Sequence, residues 1–331
     1  MLLESTMLSF DDVWLTPQIS NIESRATPSL ESKLSETVTL KHPVIASNMA
    51  SVVGPKMAKT FDNSGSIAIL HRFLKTNELC LLAETNDLNN FAFSVGIKDE
   101  DYETALEMYD ILGAKAIILV DIAHGHSAKM GDFVEKIKKI GYNTVIAGNV
   151  ATIDGYKFLS DHGADAIRVG IAGGRVCTTK YVTGHHVPTL QSVLDIVNNR
   201  TVYYKNPIIA DGGISTSGDA AKALAAGADF VCVGSLLAPT SDSPSELIHD
   251  LGGASYKLHY GMSSQTAISK FFDGKKIHVA PEGKAERMPY AGETIDILNE
   301  FLSGIKSALS YSGAENIKVF QNKAILKYKS K

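Results

Sequence analysis

The stretch VGIAGGRVCTTKYVTG, residues 169–184, sets a cysteine, Cys177, in a run rich in glycine and threonine. Basic residues, Arg175 and Lys180, stand on either side of it. The thiolate is the nucleophilic form of cysteine, and nearby cations favour it. The hydroxyls of Thr178 and Thr179 are suited to moving protons or positioning a substrate. A structural cysteine belongs among apolar neighbours instead. That describes Cys232, inside the apolar run DFVCVG, and Cys80, inside an amphipathic helical pattern. Cys177 is therefore the candidate for covalent chemistry.

Two further stretches point to an anion. ADGGISTSGD (210–219) and VGSLLA (233–238) each follow a strand-like run with glycine. Glycine lets backbone N–H groups approach a phosphate closely, and Ser235 adds a hydroxyl donor. Glu282, in HVAPEGKAERMPYAGE (278–293), is a carboxylate beside a glycine and by itself reads as a solvated turn. The histidines of DIAHGHS (121–127) and GHHV (184–187) have no carboxylate cluster beside them, so no metal site is expected there. GIAGG does not open a helix as GxGxxG and is not a dinucleotide fingerprint.

Something must bring these residues together, and the rest of the chain supplies it. Short apolar runs rich in Val and Ile recur at 43–47, 66–70, 91–97, 114–121, 143–149, 166–171, 207–213 and 229–234. Apolar on both faces, they read as buried parallel strands. Helical patterns such as 101–113, 129–141 and 217–228 lie between them. About eight such units close a (β/α)₈ TIM barrel. An open doubly wound sheet is the competing architecture. Polar or glycine residues end the runs: Asn48, His71, Gly96, Asp121, Asn149, Gly170, Asp211 and Gly234. A barrel gathers such ends on one face, where active sites of this fold lie. Departures from the repeat are an active-site loop at 172–187, an active-site segment at 252–292 and an amphipathic helix at 293–313. No linker marks a second domain, so residues 1–331 read as a single domain.

The chain has 331 residues, 44% hydrophobic and 21% charged, with a formal net charge of −4. The slight acidity gives no reason to expect nucleic acid or an anionic membrane as partner. No apolar run approaches the ~20 residues that span a bilayer. The N-terminus lacks a basic n-region, so no signal peptide is expected. Three cysteines without CxxC spacing fit a reducing cytoplasm better than a disulfide framework.

Taken in order, LSFDDVWLTP, SNMASV, LHRF, DIAHGHS, IAGNVAT, GGRVCTTK, IADGGIST, VGSLLA, YGMSS, PEGK and SALSYSGA resemble the IMP dehydrogenase/GMP reductase family almost end to end. The resemblance implies a (β/α)₈ barrel. It lies with the GMP-reducing branch. Only about 20 residues separate the second strand from FAFSVG, too few for the regulatory CBS insertion of IMP dehydrogenases. The 17 residues from Gln265 to Pro281 also lack the Arg-Tyr pair of their flap.

What the resemblance implies is NADPH-dependent reductive deamination of GMP to IMP and ammonia, a purine nucleotide interconversion. Cys177 would form a thioimidate at C2 of the guanine, with Thr179 and Glu282 handling protons. Arg175, Asp211, Gly212, Gly213, Gly234, Ser235, Gly261, Met262, Ser263 and Gly283 would hold the nucleotide. Arg72, Asp121, Ile122, Ala123, Ile171 and Ala172 would contact the cofactor. Ser307 and Ser310 would reach a neighbouring subunit's cofactor, as in the family's homotetramers. The family's K⁺ site maps onto Ala172, Gly174 and Cys177. Two readings compete: an IMP dehydrogenase lacking CBS domains, and a non-catalytic purine-nucleotide-binding barrel, which would need neither Cys177 nor Thr179 nor Glu282.

The sequence also departs from the family. Ala172-Gly173-Gly174-Arg175 stands where Gly-Pro-Gly-Ser is common. Ala172 disfavours a positive φ and Gly173 loosens the loop, which puts the K⁺ site in doubt. Arg175 offers a charge-assisted bond in place of the lost phosphate hydroxyl. Val279 replaces a basic, nucleotide-facing residue.

Overall fold

The computed structural model describes residues 7–271 and 280–329. Val279 and half of the 265–281 gap lie outside the described residues. The core is a curled, seven-stranded, wholly parallel sheet. Its strands are β1 (Val44–Ala46), β2 (Ala92–Val95), β3 (Ile117–Asp121), β4 (Thr144–Val150), β5 (Ala166–Val169), β6 (Ile208–Asp211) and β7 (Phe230–Val233). The order across the sheet is β1-β7-β6-β5-β4-β3-β2. The run at 66–70 is not a full strand. It makes one parallel bridge to each edge, Ala46 to Ala68 and Leu70 to Phe93. The strand expected from residue 114 starts at Ile117, because a 3-10 turn occupies Gly113–Lys115.

Period-two alternation sorts the strand residues onto two apolar faces. Ile45, Ala92, Ile117, Leu119, Ile146, Ala166, Ile209 and Phe230 form one buried cluster inside the curl, closed by Leu34 and Leu40. Val44, Phe93, Ile118, Val120, Ile167, Ile208 and Val231 face the helices. This two-sided burial is why the strands read as continuous apolar runs rather than alternating ones.

The helices follow their local signals. Asp99, Glu100 and Asp101 open α1 (Asp99–Leu112), where acidic side chains favour the dipole. The helix α2 (Ser217–Ala225) begins in a reciprocal capping box, Thr216 accepting from the Asp219 amide and the Asp219 carboxylate accepting from the Thr216 amide. The expected C-terminal helix is α3 (Thr294–Tyr311), packed on α2. An antiparallel sheet of β8 (Leu247–His249), β9 (Ser255–Tyr260) and β10 (Ala285–Pro289) covers the C-terminal strand ends on one side. Among the described residues no helix is long and apolar enough to cross a membrane.

Candidate active site

The inner face of the sheet turns from apolar to polar within two residues at the strand ends. Along β2, β3, β5 and β6 the pairs are Ala92 then Ser94, Leu119 then Asp121, Ala166 then Arg168, Ile209 then Asp211. Arg168 is the centre of this layer. It is 7% exposed. Its Nη1 donates to Asn48 Oδ1 at 2.7 Å and to Asp121 Oδ1 at 3.2 Å. Its Nη2 lies 2.9 Å from Asp211 Oδ2. Asn149 donates to the same Asp211 carboxylate at 2.8 Å and to Gly170 O at 2.7 Å. Burial opposes the guanidinium's charge, but the two aspartates more than offset it, and Arg168 stays firmly charged. Its Nε has no hydrogen-bond partner. Cys232 sits beside this layer, 3% exposed, where burial pushes its thiol up to about 12. It is inert.

Above this layer lies the loop after β5. Gly170 has φ +138°, and a Cβ there would fall 2.0 Å from Asp211 O. Only glycine lets the loop leave the strand against β6. Ala172 takes φ +63° even though it is not glycine. The left-handed conformation that alanine disfavours is adopted all the same, at a cost of about 1–2 kcal/mol. Cys177 N donates to Gly174 O at 3.0 Å, closing a turn before the short helix Thr179–Thr183.

The Glu282 segment is fastened to this loop through the main chain. Thr178 N donates to Glu282 O at 2.9 Å, and Lys284 N to Val176 O at 2.9 Å, around a bridge between Cys177 and Gly283. On that strip Cys177 Sγ donates to Thr179 Oγ1 at 3.3 Å. Thr179 Oγ1 donates in turn to Glu282 Oε2 at 2.7 Å. The direction of the two bonds gives a route for the thiol proton to the carboxylate. The cations expected to favour the thiolate are engaged elsewhere. Arg175 pairs with Glu286, and Lys180 lies over the Tyr181 ring, its Nζ 5.1 Å from the centroid.

One cleft collects nearly all the residues singled out in the sequence. Cys177, Thr179, Glu282, Arg175, Asp211, Gly212, Gly213, Gly234, Ser235, Gly261, Met262 and Ser263 line it. So do Arg72, Asp121, Ile122, Ala123, Ile171, Ala172 and Gly174. Gly283 lies behind the wall in the bridge to Cys177. Ser307 and Ser310, expected to reach a neighbouring subunit's cofactor rather than this chain's own, lie on the C-terminal helix outside this cleft; Ser307 donates to Ser303 O at 3.0 Å. Of the eight strand ends, His71 and Gly96 stay outside. His71 packs on Phe271, and Gly96 N donates to Asp101. The amides of Gly213, Gly234 and Ser235 have no acceptor among the described residues, which suits an anion. The sequence reading missed Arg168, Asn48 as its acceptor, and Asn149 as the brace of Asp211. A charged residue inside the apolar run AIRVGI was the available signal.

The residues expected to hold K⁺ would offer main-chain carbonyls from the loop after β5. Gly174 O already accepts from Cys177 N, and no step is assigned to the ion. Among the described residues no cluster of His, Cys, Asp and Glu is arranged to hold a metal.

A profile of the IMP dehydrogenase / GMP reductase domain matches residues 7–331. Human GMP reductase 2 is 36% identical over 318 residues, covering 94% of this chain and 91% of the human protein. GMP reductase from Caenorhabditis elegans is 34% identical over 325 residues, covering 96% and 90%. The fold is similar to the crystal structure of a cysteine-to-alanine variant of GMP reductase from Trypanosoma brucei in complex with guanosine 5′-monophosphate. That similarity has a TM-score of 0.90 at 23% identity, over 99% of this chain and 96% of that one. Profile, relatives and fold agree with the cysteine-bearing cleft: the chain belongs to the IMP dehydrogenase/GMP reductase family.

Proposed function

We propose that this chain is an NADPH-dependent GMP reductase converting GMP to IMP and ammonia. The observation that carries the reading is the hydrogen-bonded series Cys177–Thr179–Glu282. In it Glu282 draws the thiol proton through Thr179, and the thiolate attacks C2 of the guanine. The amino group leaves as ammonia once Glu282 returns a proton through the same hydroxyl, and Cys177 remains as a thioimidate. Asp121, Ile122 and Ala123 would hold the nicotinamide cofactor, which when bound would supply hydride to C2. Breakage of the C–S bond releases IMP and restores the thiolate. The balance is one GMP, one hydride and two protons giving IMP and ammonium.

The unbonded amides of Gly213, Gly234 and Ser235 suit the 5′-phosphate, and Asp211, oriented by Asn149 and Arg168, suits the ribose hydroxyls. Arg72, 3.9 Å from Asp121 and stacked on Phe73, offers a cation to the dinucleotide. The relatives named GMP reductase support this branch. We read the sheet as closed by residues 67–70 into a single (β/α)₈ barrel without a CBS insertion, working as a cytoplasmic homotetramer.

The test is NADPH absorbance with GMP, beside a parallel reaction with IMP and NAD. A GMP-dependent fall with stoichiometric ammonia supports the reductase. A rise with IMP and NAD instead would make the chain an IMP dehydrogenase. GMP binding without turnover in either would leave a nucleotide-binding barrel.

A further inference from the structure

One end of the cleft holds charged groups that this reaction does not use. Glu286 on β10 stands directly opposite His259 on β9 in antiparallel register. Its carboxylate accepts from Arg175 Nε at 3.2 Å and from Nη2, and Lys284 Nζ lies 3.7 Å away. His259 is 2% exposed, its Nδ1 3.0 Å from Ser51 Oγ. Its Nε2 has no hydrogen-bond partner among the described residues. Both Arg175 and His259 line the cleft that presents the unbonded amides of Gly234 and Ser235.

We propose that Arg175, Glu286 and His259 form a phosphate clamp with two settings. In the first, seen here, Glu286 holds Arg175. In the second, a nucleoside 5′-monophosphate dianion takes Arg175 from Glu286 and accepts a bond from His259 Nε2, which picks up a proton from solvent. The inference rests on the nucleotide reading above and adds the groups that read the phosphate's charge.

The exchange is favourable on general grounds. An exposed Arg–carboxylate pair contributes little to stability, so releasing it costs little. A guanidinium facing a phosphate gains paired charge-assisted bonds. His259 is neutral in the first setting because burial pushes it down to about 4; Glu286 opposes that shift and Arg175 adds to it. A dianion beside Nε2 reverses the balance. With Arg175 turned to the phosphate, Glu286 also has only Lys284 left as counter-charge. It then favours a charged His259 more strongly.

The test is calorimetric titration of the full chain carrying Cys177→Ala, which cannot release ammonia from GMP, with GMP and without cofactor, in buffers of different ionisation enthalpy. At about pH 7, where the phosphate is mostly a dianion, we expect net uptake of roughly half to one proton per GMP. Guanosine, which lacks the phosphate, should bind without uptake. His259→Gln should abolish the uptake. Glu286→Gln removes the charge that supports a protonated His259 and should lower the proton uptake per GMP. GMP binding without proton uptake, equal uptake with guanosine, or unchanged uptake in Glu286→Gln would overturn the clamp while sparing the nucleotide reading. No GMP binding at all would overturn both.

Discussion

Arg168 and Asp211 face each other across adjacent strands with Nη2 2.9 Å from Oδ2, and the same guanidinium reaches Asp121 on its other side. One buried cation thus neutralises two carboxylates assigned to different ligands, the nucleotide and the cofactor. Arg168→Met leaves the half-buried Asp211 without a cation and Asp121 with only Arg72 at 3.9 Å. Stability should fall by about 3–5 kcal/mol, read from urea unfolding. A loss under about 1 kcal/mol would mean that Asn48, Asn149 and solvent satisfy the aspartates without it.

The thiol–hydroxyl–carboxylate series makes a separable prediction for the chemistry. Thr179→Val cuts the route in the middle, and Glu282→Gln removes its end. Each should lower kcat by about 10²–10⁴ with GMP affinity little changed. In Glu282→Gln the loss should appear as slowed ammonia release in a single-turnover experiment. Cys177→Ala should bind GMP and turn nothing over. Near-normal turnover in that variant would refute the covalent route.

Two glycines with positive φ separate conformational cost from steric cost. Gly184 ends the short helix Thr179–Thr183 at φ +75° with nothing near a Cβ, whereas Gly170 would drive a Cβ into Asp211 O. Gly184→Ala should cost about 1–2 kcal/mol. Gly170→Ala should cost about 3 kcal/mol or more and displace Asp211. Thermal unfolding of the two variants, side by side, checks the difference.

Acid should destabilise the fold in a defined window. Burial depresses His42, His71 and His259 to about 4 each from 6.5. Between those values the unfolded chain binds protons that the folded one refuses. Stability is therefore full above pH 6.5 and falls as pH drops toward 4, by up to about 3 kcal/mol per histidine. Urea midpoints across this range should fall with acid and flatten above neutrality. A midpoint independent of pH from neutrality to pH 5 would show that these rings protonate without unfolding.

Much of this site is legible in the sequence because loops after strands announce themselves. Glycine, threonine and an isolated cysteine after AIRVGI mark a backbone that must turn and a side chain that need not pack. Arg168 escapes the same reading because it sits inside the apolar run, where period two alone decides which way it points. Ile67–Leu70 reads as a full strand from its composition yet makes one bridge to each side, since pairing depends on neighbours remote in the chain. Ala172 takes a positive φ that its propensity disfavours, which shows that propensity ranks a conformation without excluding it.

The main-chain strip joining residues 176–178 to 282–284 has a consequence for how this site can change. Because backbone atoms make those bonds, the spacing of nucleophile and carboxylate is set without reference to either side chain. Residues at 177 and 282 are free to be exchanged, Cys177→Ser for example, with the distance between the positions kept. The reaction is thus written in replaceable letters on a fixed ruling, and selection can rewrite the chemistry without first redrawing the architecture.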